Sequence, residues 1–293
     1  MFSGKGGVGK TTMSVSLAMS LSSSHRVFLL STDPAGSLGD IFGEEVTGRV
    51  LEVSKNLTVL ELTRDNVIKR WREKFGDEVY TVVSSLLPVG REILDYFEGA
   101  PGIDEEFILD LLLDLSKSKE YNYIVWDTAP TSSTLSLLRI QLLFYSHLTE
   151  AQKLYLGLKG FLKKIKDGAS PLDLIRKWRG LTEDVINMLR NETLCWVVAI
   201  PERLPIVQAL RLKDEIKNFG MEVKGFIVNR CIPLAEAKKS DFLMEKYKLQ
   251  RRWVKYIEER SDVPVKIIEE LDISDLSMED YKNIGKKLLH ELL

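Results

Sequence analysis

The segment Gly4-Lys5-Gly6-Gly7-Val8-Gly9-Lys10-Thr11-Thr12 satisfies the pattern G-x-x-x-x-G-K-[ST]. Its glycines let successive backbone N–H groups turn inward around an anion, where a β-carbon would obstruct them. A helix opening at Lys10 would add the partial positive charge of its N-terminus. In such a loop Lys10 reaches the β- and γ-phosphates of a nucleotide, and the Thr11 hydroxyl ligates Mg²⁺. Residues Gly4, Lys5, Gly6, Gly7, Val8, Gly9, Lys10, Thr11 and Thr12 are therefore the candidate nucleotide-binding set. Two acids follow apolar runs elsewhere: Asp33 after Arg26–Thr32, and Asp127 after Tyr121–Trp126. An aspartate at a strand's carboxyl end facing this loop holds Mg²⁺, directly or through water, or else orients or deprotonates an attacking water. Thr11, Asp33 and Asp127 are the candidate magnesium ligands, and both roles stay open for each acid.

These groups act together only if a sheet brings them to one edge. The pattern predicts a helix over Lys10–Leu21 and buried strands over Arg26–Thr32, Leu57–Leu62, Tyr121–Trp126, Leu194–Ile200, Val223–Val228 and Val263–Ile268. Helical stretches separate them at Ile103–Lys117, Leu204–Phe219, Asp241–Glu259 and Met278–Leu292. Apolar strands alternating with amphipathic helices imply an α/β fold with a doubly wound, mostly parallel sheet. Right-handed crossovers would then gather the carboxyl ends of the strands on one edge, where ligands bind. Only Met1-Phe2-Ser3 precedes the loop glycines, so either the first strand is very short or the start of the protein lies upstream. Arg64–Gly99 and Leu135–Arg190 have helical periodicity with no convincing strand. The expected organisation is one phosphate-loop domain over residues 1–293, with a helical subdomain inserted from about 64–119 and 135–190.

Composition removes several function classes. With 41 basic and 43 acidic residues the net charge is −2, so no global field points to nucleic acid, and no nucleic-acid partner is expected. Cys195 and Cys231 form no CxxC pair, so no zinc is expected, and reduced thiols fit a cytoplasmic protein. No uncharged apolar stretch reaches membrane-spanning length. The N-terminal residues lack a signal-peptide layout, because glycines and lysines interrupt them at once.

Asp33-Pro-Ala-Gly-Ser-Leu-Gly-Asp40 and Asp127-Thr-Ala-Pro-Thr-Ser-Ser-Thr-Leu135 join a loop of the GKGGVGKTT form. With Ala199-Ile-Pro-Glu202 and Ile227-Val-Asn-Arg230, they resemble the arsenical-pump and tail-anchored-protein targeting ATPase family over most of the chain. The family's switch I typically reads DPAHS/N-L-S-D and its switch II DTAPTGHTL. The resemblance implies ATP hydrolysis with ATP and Mg²⁺ as cofactors, and a homodimer in the ATP state. Lys5, the mark of this deviant phosphate loop, would contact nucleotide across the dimer interface and stabilise transition-state charge, much as an arginine finger does. Asp33 would activate or position water, so Asp33, Lys5 and Lys10 are the candidate catalytic residues. Asp127 would serve the magnesium shell, Asn229 would read the adenine, and Glu202 would lie near the nucleotide at the dimer interface. Four departures stand out. Gly36 replaces the usual switch I histidine, and Ser132-Ser133 replace the switch II Gly-His. Ser240-Asp241-Phe242-Leu243 occupies the place of the paired zinc cysteines of many targeting factors, and the pump ATPases' arsenite-binding thiols have no evident counterpart.

In the targeting ATPases, helices between the switches form an apolar groove for a client transmembrane segment. The corresponding runs here are Val79–Leu87, Ile93–Phe97, Ile103–Leu115 and Leu135–Leu162. Lysines 159, 163, 164 and 166 would make the next helix basic and amphipathic, either a solvated face or a transient membrane contact. The expected function is a nucleotide-switched homodimer that captures hydrophobic tail-anchored segments and delivers them to a membrane receptor. The alternatives are the ATP-hydrolysing subunit of an arsenite, metalloid or other ion pump, and a positioning switch of the cell-division type.

Overall fold

The computed structural model describes residues 1–33, 36–129, 131–158, 170–270 and 276–292. Its elements begin with β1 (Phe2–Gly4), α1 (Lys10–Leu21), β2 (Val27–Ser31), α2 (Ser37–Phe42), β3 (Leu51–Ser54) and β4 (Leu57–Glu61). Next come α3 (Arg64–Leu86), α4 (Ile93–Glu98), α5 (Ile103–Ser118), β5 (Tyr123–Asp127), α6 (Thr131–Leu158) and α7 (Pro171–Asn191). The chain closes with β6 (Leu194–Ala199), α8 (Arg203–Phe219), β7 (Glu222–Cys231), α9 (Leu234–Ala237), α10 (Asp241–Glu258), β8 (Val265–Glu269) and α11 (Met278–Leu292).

The strands form one sheet in the order β3-β4-β2-β5-β1-β6-β7-β8. Every neighbouring pair is parallel except β3 with β4. The α/β, mostly parallel architecture expected from the sequence is therefore present. β2 is buried at every residue and β6 at all but its first, which is why both read as unbroken apolar runs rather than alternations. Phe2–Gly4 does form a strand: Phe2 pairs with Asp127 of β5, and all three residues pair with Trp196–Val198 of β6. β3 was not anticipated. It alternates half-buried and exposed residues, turns back on β4 through Lys55-Asn56, and ends the sheet as an antiparallel edge. Thr63 opens α3 with a capping box, accepting from the Asn66 N–H. α6 starts at Thr131, ahead of the Leu135 boundary read from the sequence.

The chain divides into two compact units, Met1–Leu62 with Ser118–Leu135 and Arg190–Leu293, and Thr63–Lys117 with Ser136–Leu189. The first holds the whole sheet and a core that includes Phe2, Leu29, Val59, Val198 and Ile227. In it α11 packs tightly on α1 at Gly285, where a β-carbon would meet the Ser16 carbonyl oxygen at 2.0 Å. The second is helical, with Val82, Leu148, Tyr155, Leu172 and Ile175 in its core. No helix among the described residues is long and apolar enough to cross a membrane.

Within the helical unit Glu78 of α3 ties down α7. Its carboxyl oxygens accept from the Trp178 indole N–H at 2.8 Å and from Lys177 Nζ at 2.5 Å. Glu78→Ala leaves the part-buried indole N–H unpaired. A loss of about 1–3 kcal/mol is expected, read as a lower urea midpoint together with faster amide exchange in α7.

Candidate nucleotide and magnesium site

The loop is shaped from both ends. β1 delivers Gly4 beside β6, so close that a β-carbon there would lie 2.2 Å from the Val198 carbonyl oxygen. Gly9 ends the loop in the left-handed region, at φ 97°, and serves as the N-cap of α1. A side chain at Gly9 would also collide with Asn229, whose Nδ2 lies 2.3 Å from the β-carbon position. That amide donates to the Val8 carbonyl oxygen at 3.0 Å, so the carboxyl end of β7 holds the loop in place. Asn229 and Val8 are both buried.

Two charged groups meet just behind the loop. Lys10 is 3% exposed, and its Nζ lies 3.3 Å from Asp33 Oδ2, with Asp33 standing two residues beyond the end of β2. A buried ammonium needs such a partner, because an unpaired one would lose several kcal/mol of solvation. Asp127 closes β5 with no solvent exposure at all. Its Oδ2 accepts from the Thr11 hydroxyl at 2.7 Å and from the Ser31 hydroxyl at 3.1 Å. Its Oδ1 is buried without a hydrogen-bond partner. Burial pushes the Asp127 carboxyl up to about 6, against the Thr11 hydrogen bond, the Lys10 charge and the Ser31 hydrogen bond, which pull it down, while Asp33 adds to the rise. A buried, unpaired carboxyl oxygen beside a hydroxyl is a donor set that suits a hard divalent cation. Among the described residues no three His, Cys, Asp or Glu side chains converge as a metal cluster. Mg²⁺ at a phosphate site needs none, since it takes one or two protein oxygens together with phosphate and water.

The structure thus brings the loop, Asp33, Asp127 and Asn229 to the carboxyl edge of the sheet. Glu202 is exposed at the N-cap of α8, just beyond the end of β6, and its side chain caps no backbone group. Lys5 is exposed. Gly36 sits at φ 67° and caps α2, a left-handed position that a histidine would occupy only at a cost of about 1–2 kcal/mol. Ser132-Ser133 lie in the first turn of α6. Pro34, Ala35, Pro130 and lysines 159, 163, 164 and 166 lie outside the described residues. Sequence reasoning missed two contributors. Ser31 shares Asp127 Oδ2 with Thr11, and Glu61, 2% exposed, grips the Leu38 N–H at 2.9 Å and the Thr47 hydroxyl at 3.1 Å. The available signal for Glu61 was an acid set inside an apolar run, between Leu60 and Leu62.

A sheet edge of this construction belongs to the phosphate-loop nucleoside triphosphatases. Within that class, the model of the anion-transporting ATPases matches residues 1–288, and the chain belongs to that family. A relative from Aquifex aeolicus, provisionally named arsenical pump-driving ATPase 2, is 33% identical over 265 residues, covering 88% of this chain and 87% of its own. The protein named ATPase get3 of Botryotinia fuckeliana is 30% identical over 274 residues, covering 88% of this chain and 79% of its own. That of Pyrenophora tritici-repentis is 28% identical over 277 residues, covering 88% and 81%. The chain is accordingly an ATPase, as the sequence reading held.

The raised Asp127 carboxyl has a thermodynamic consequence. Between the ordinary value of 3.8 and about 6, the folded protein binds a proton that the unfolded chain has released, so this group favours folding less as pH rises through that window. In nucleotide-free protein with EDTA, Asp127→Asn should therefore raise stability at pH 7, by on the order of 1–3 kcal/mol. Thermal melts at pH 7 and pH 5 check this: the gain should shrink toward pH 5, where aspartate is itself neutral.

Proposed function

We propose that this ATPase is a nucleotide-switched homodimer that requires Mg²⁺ and carries hydrophobic tail-anchored segments. The observation that carries the cargo reading lies in the helical unit. There α6 leaves Leu142, Leu143, Leu154 and Leu156 exposed by 47, 55, 66 and 47%, and the end of α3 adds Leu86. Exposed leucines recurring along one helix offer a surface for an apolar partner to cover, and this supports the reading.

In the cycle, Lys10 and the loop N–H groups hold the phosphates, and Thr11 with Asp127 hold the magnesium ion, which supplies charge neutralisation at the reacting phosphate when bound. A γ-phosphate next to Lys10 competes with Asp33 for the ammonium, which releases the Asp33 carboxyl to orient or deprotonate the attacking water. Lys5 and Glu202 are both exposed, which supports a role for each at the nucleotide of a second subunit. Asn229 spends one amide N–H on Val8, leaving its second N–H and its oxygen for adenine.

The Aquifex aeolicus relative favours a second reading, the ATP-hydrolysing subunit of an arsenical pump. The thiols speak against arsenite as its trigger. Burial pushes Cys195 up to about 12 and Cys231 up to about 11, and metalloids are bound by accessible thiolates.

ATP turnover and sedimentation, with and without nucleotide, test the proposal. Wild type should hydrolyse ATP and sediment as a dimer with it. Lys5→Ala should stay monomeric and lose about 10²–10³-fold in turnover, the scale of a lost transition-state contact. Asp33→Asn should accumulate as an ATP-bound dimer that retains an apolar helical peptide, and Leu142→Asp with Leu154→Asp should abolish retention while sparing turnover. A wild type that turns over ATP as a monomer overturns the dimer, and retention that ignores nucleotide overturns the switch.

A further inference from the structure

We infer that Glu61 is a positioning residue for Asp33, because it ties the end of the strand before Asp33 to the first turn of the helix after it. The inference rests on the reading of Asp33 given above. Glu61 is the last residue of β4 and pairs in parallel register with Ser31, the last residue of β2. The main chain adds a bond from the Leu62 N–H to the Ser31 carbonyl at 3.0 Å. On the far side of the loop, the Glu61 carboxyl takes the Leu38 N–H in the first turn of α2 at 2.9 Å. Leu38 is itself fully buried, so this bond is shielded from water. Past the other end of α2, Glu61 holds the Thr47 hydroxyl through its second oxygen, at 3.1 Å, and the Gly48 N–H through its carbonyl, at 2.7 Å.

One residue thus anchors the strand that enters the loop, the helix that leaves it, and the segment beyond that helix. An acid whose flanking strand and helix are both held samples fewer placements, which favours a single approach of its carboxyl to a reacting phosphate. Within the loop the Asp33 N–H leans on the Ser31 hydroxyl at 3.4 Å, while its carboxyl meets Lys10. Releasing Leu38 from Glu61 would free α2 and, with it, the range over which Asp33 moves. Architecture alone does not call for an acid here, because a buried carboxyl costs more to desolvate than an apolar side chain of the same length.

The test is steady-state ATP turnover and nucleotide affinity for Glu61→Met, Glu61→Gln, Thr47→Val and Asp33→Asn, and for Asp33→Asn combined with Glu61→Met. Glu61→Met should lower kcat by about a hundredfold, the scale on which an ångström of misplacement costs, with nucleotide affinity changed by less than about threefold. Glu61→Gln should keep kcat, since its amide oxygen still accepts from Leu38 and its NH₂ can donate to Thr47. The double variant should be no slower than Asp33→Asn alone, because Glu61 acts through Asp33. Thr47→Val, which leaves the Leu38 bond in place, gives the same readout if Glu61→Met does not fold: a smaller kcat loss that vanishes in the Asp33→Asn background. Full kcat in Glu61→Met or Thr47→Val, or losses that multiply with that of Asp33→Asn, overturn the inference alone. Normal turnover by Asp33→Asn overturns the reading of Asp33 and this inference with it.

Discussion

The hydrogen bond from the Thr11 hydroxyl to the Asp127 carboxyl joins the first turn of α1 to the end of β5, across 116 residues of sequence. Much of the site's geometry follows from making that bond to a carboxyl that has no solvent exposure. It requires β1 to lie beside β5, so that the loop leaving β1 turns back over the end of its neighbour. It requires Ser31 on the other flank, because a carboxyl with no exposure cannot leave Oδ2 half satisfied. It also leaves Oδ1 as an uncompensated acceptor. A folded protein keeps such an atom where a ligand completes it. The cost of that arrangement is visible in the raised Asp127 carboxyl, and a cation bound there would offset it.

The two flanks of this centre are built differently. On the β7 side, Asn229 holds Val8 by a neutral, buried hydrogen bond, and Gly9 leaves the space that the amide fills. The loop is therefore shaped before any phosphate arrives, and binding need not spend free energy on ordering it. On the β2 side the contact is ionic, Lys10 to Asp33, and it is a contact that a phosphate can take over. A fixed flank and an exchangeable one are what the proposed switch would require, the first to recognise the nucleotide and the second to report it.

What could be read from the sequence follows the same division between local and distant causes. The loop and α1 were legible because glycine, lysine and threonine at that spacing serve a chemistry that acts within a few residues. β2, β5, β6 and β7 were legible because strands buried in a parallel sheet carry unbroken apolar runs. β3 was not, since four residues alternating between half-buried and exposed on a sheet edge carry no such run. The start of α6 was missed because Thr131, Ser132, Ser133 and Thr134 are residues that compete with helix through their own backbone hydrogen bonds. The Asn229–Val8 bond spans 221 residues, and the grip of Glu61 on Leu38 depends on which strands become neighbours. Neither is written in any local pattern, although the residue types at both positions are unusual for buried strand ends.

Gly36 shows how a departure from a family pattern can have a backbone cause. Its φ of 67° places it where side chains are disfavoured, at the junction between the Asp33 loop and α2. With Glu61 holding Leu38 two residues later, the junction is rigid on one side and permissive on the other. A histidine at such a position would supply a side-chain contact at the cost of backbone strain; glycine removes both. At this junction the family's side-chain contact is absent, and the backbone hydrogen bond to Glu61 is what ties down the start of α2.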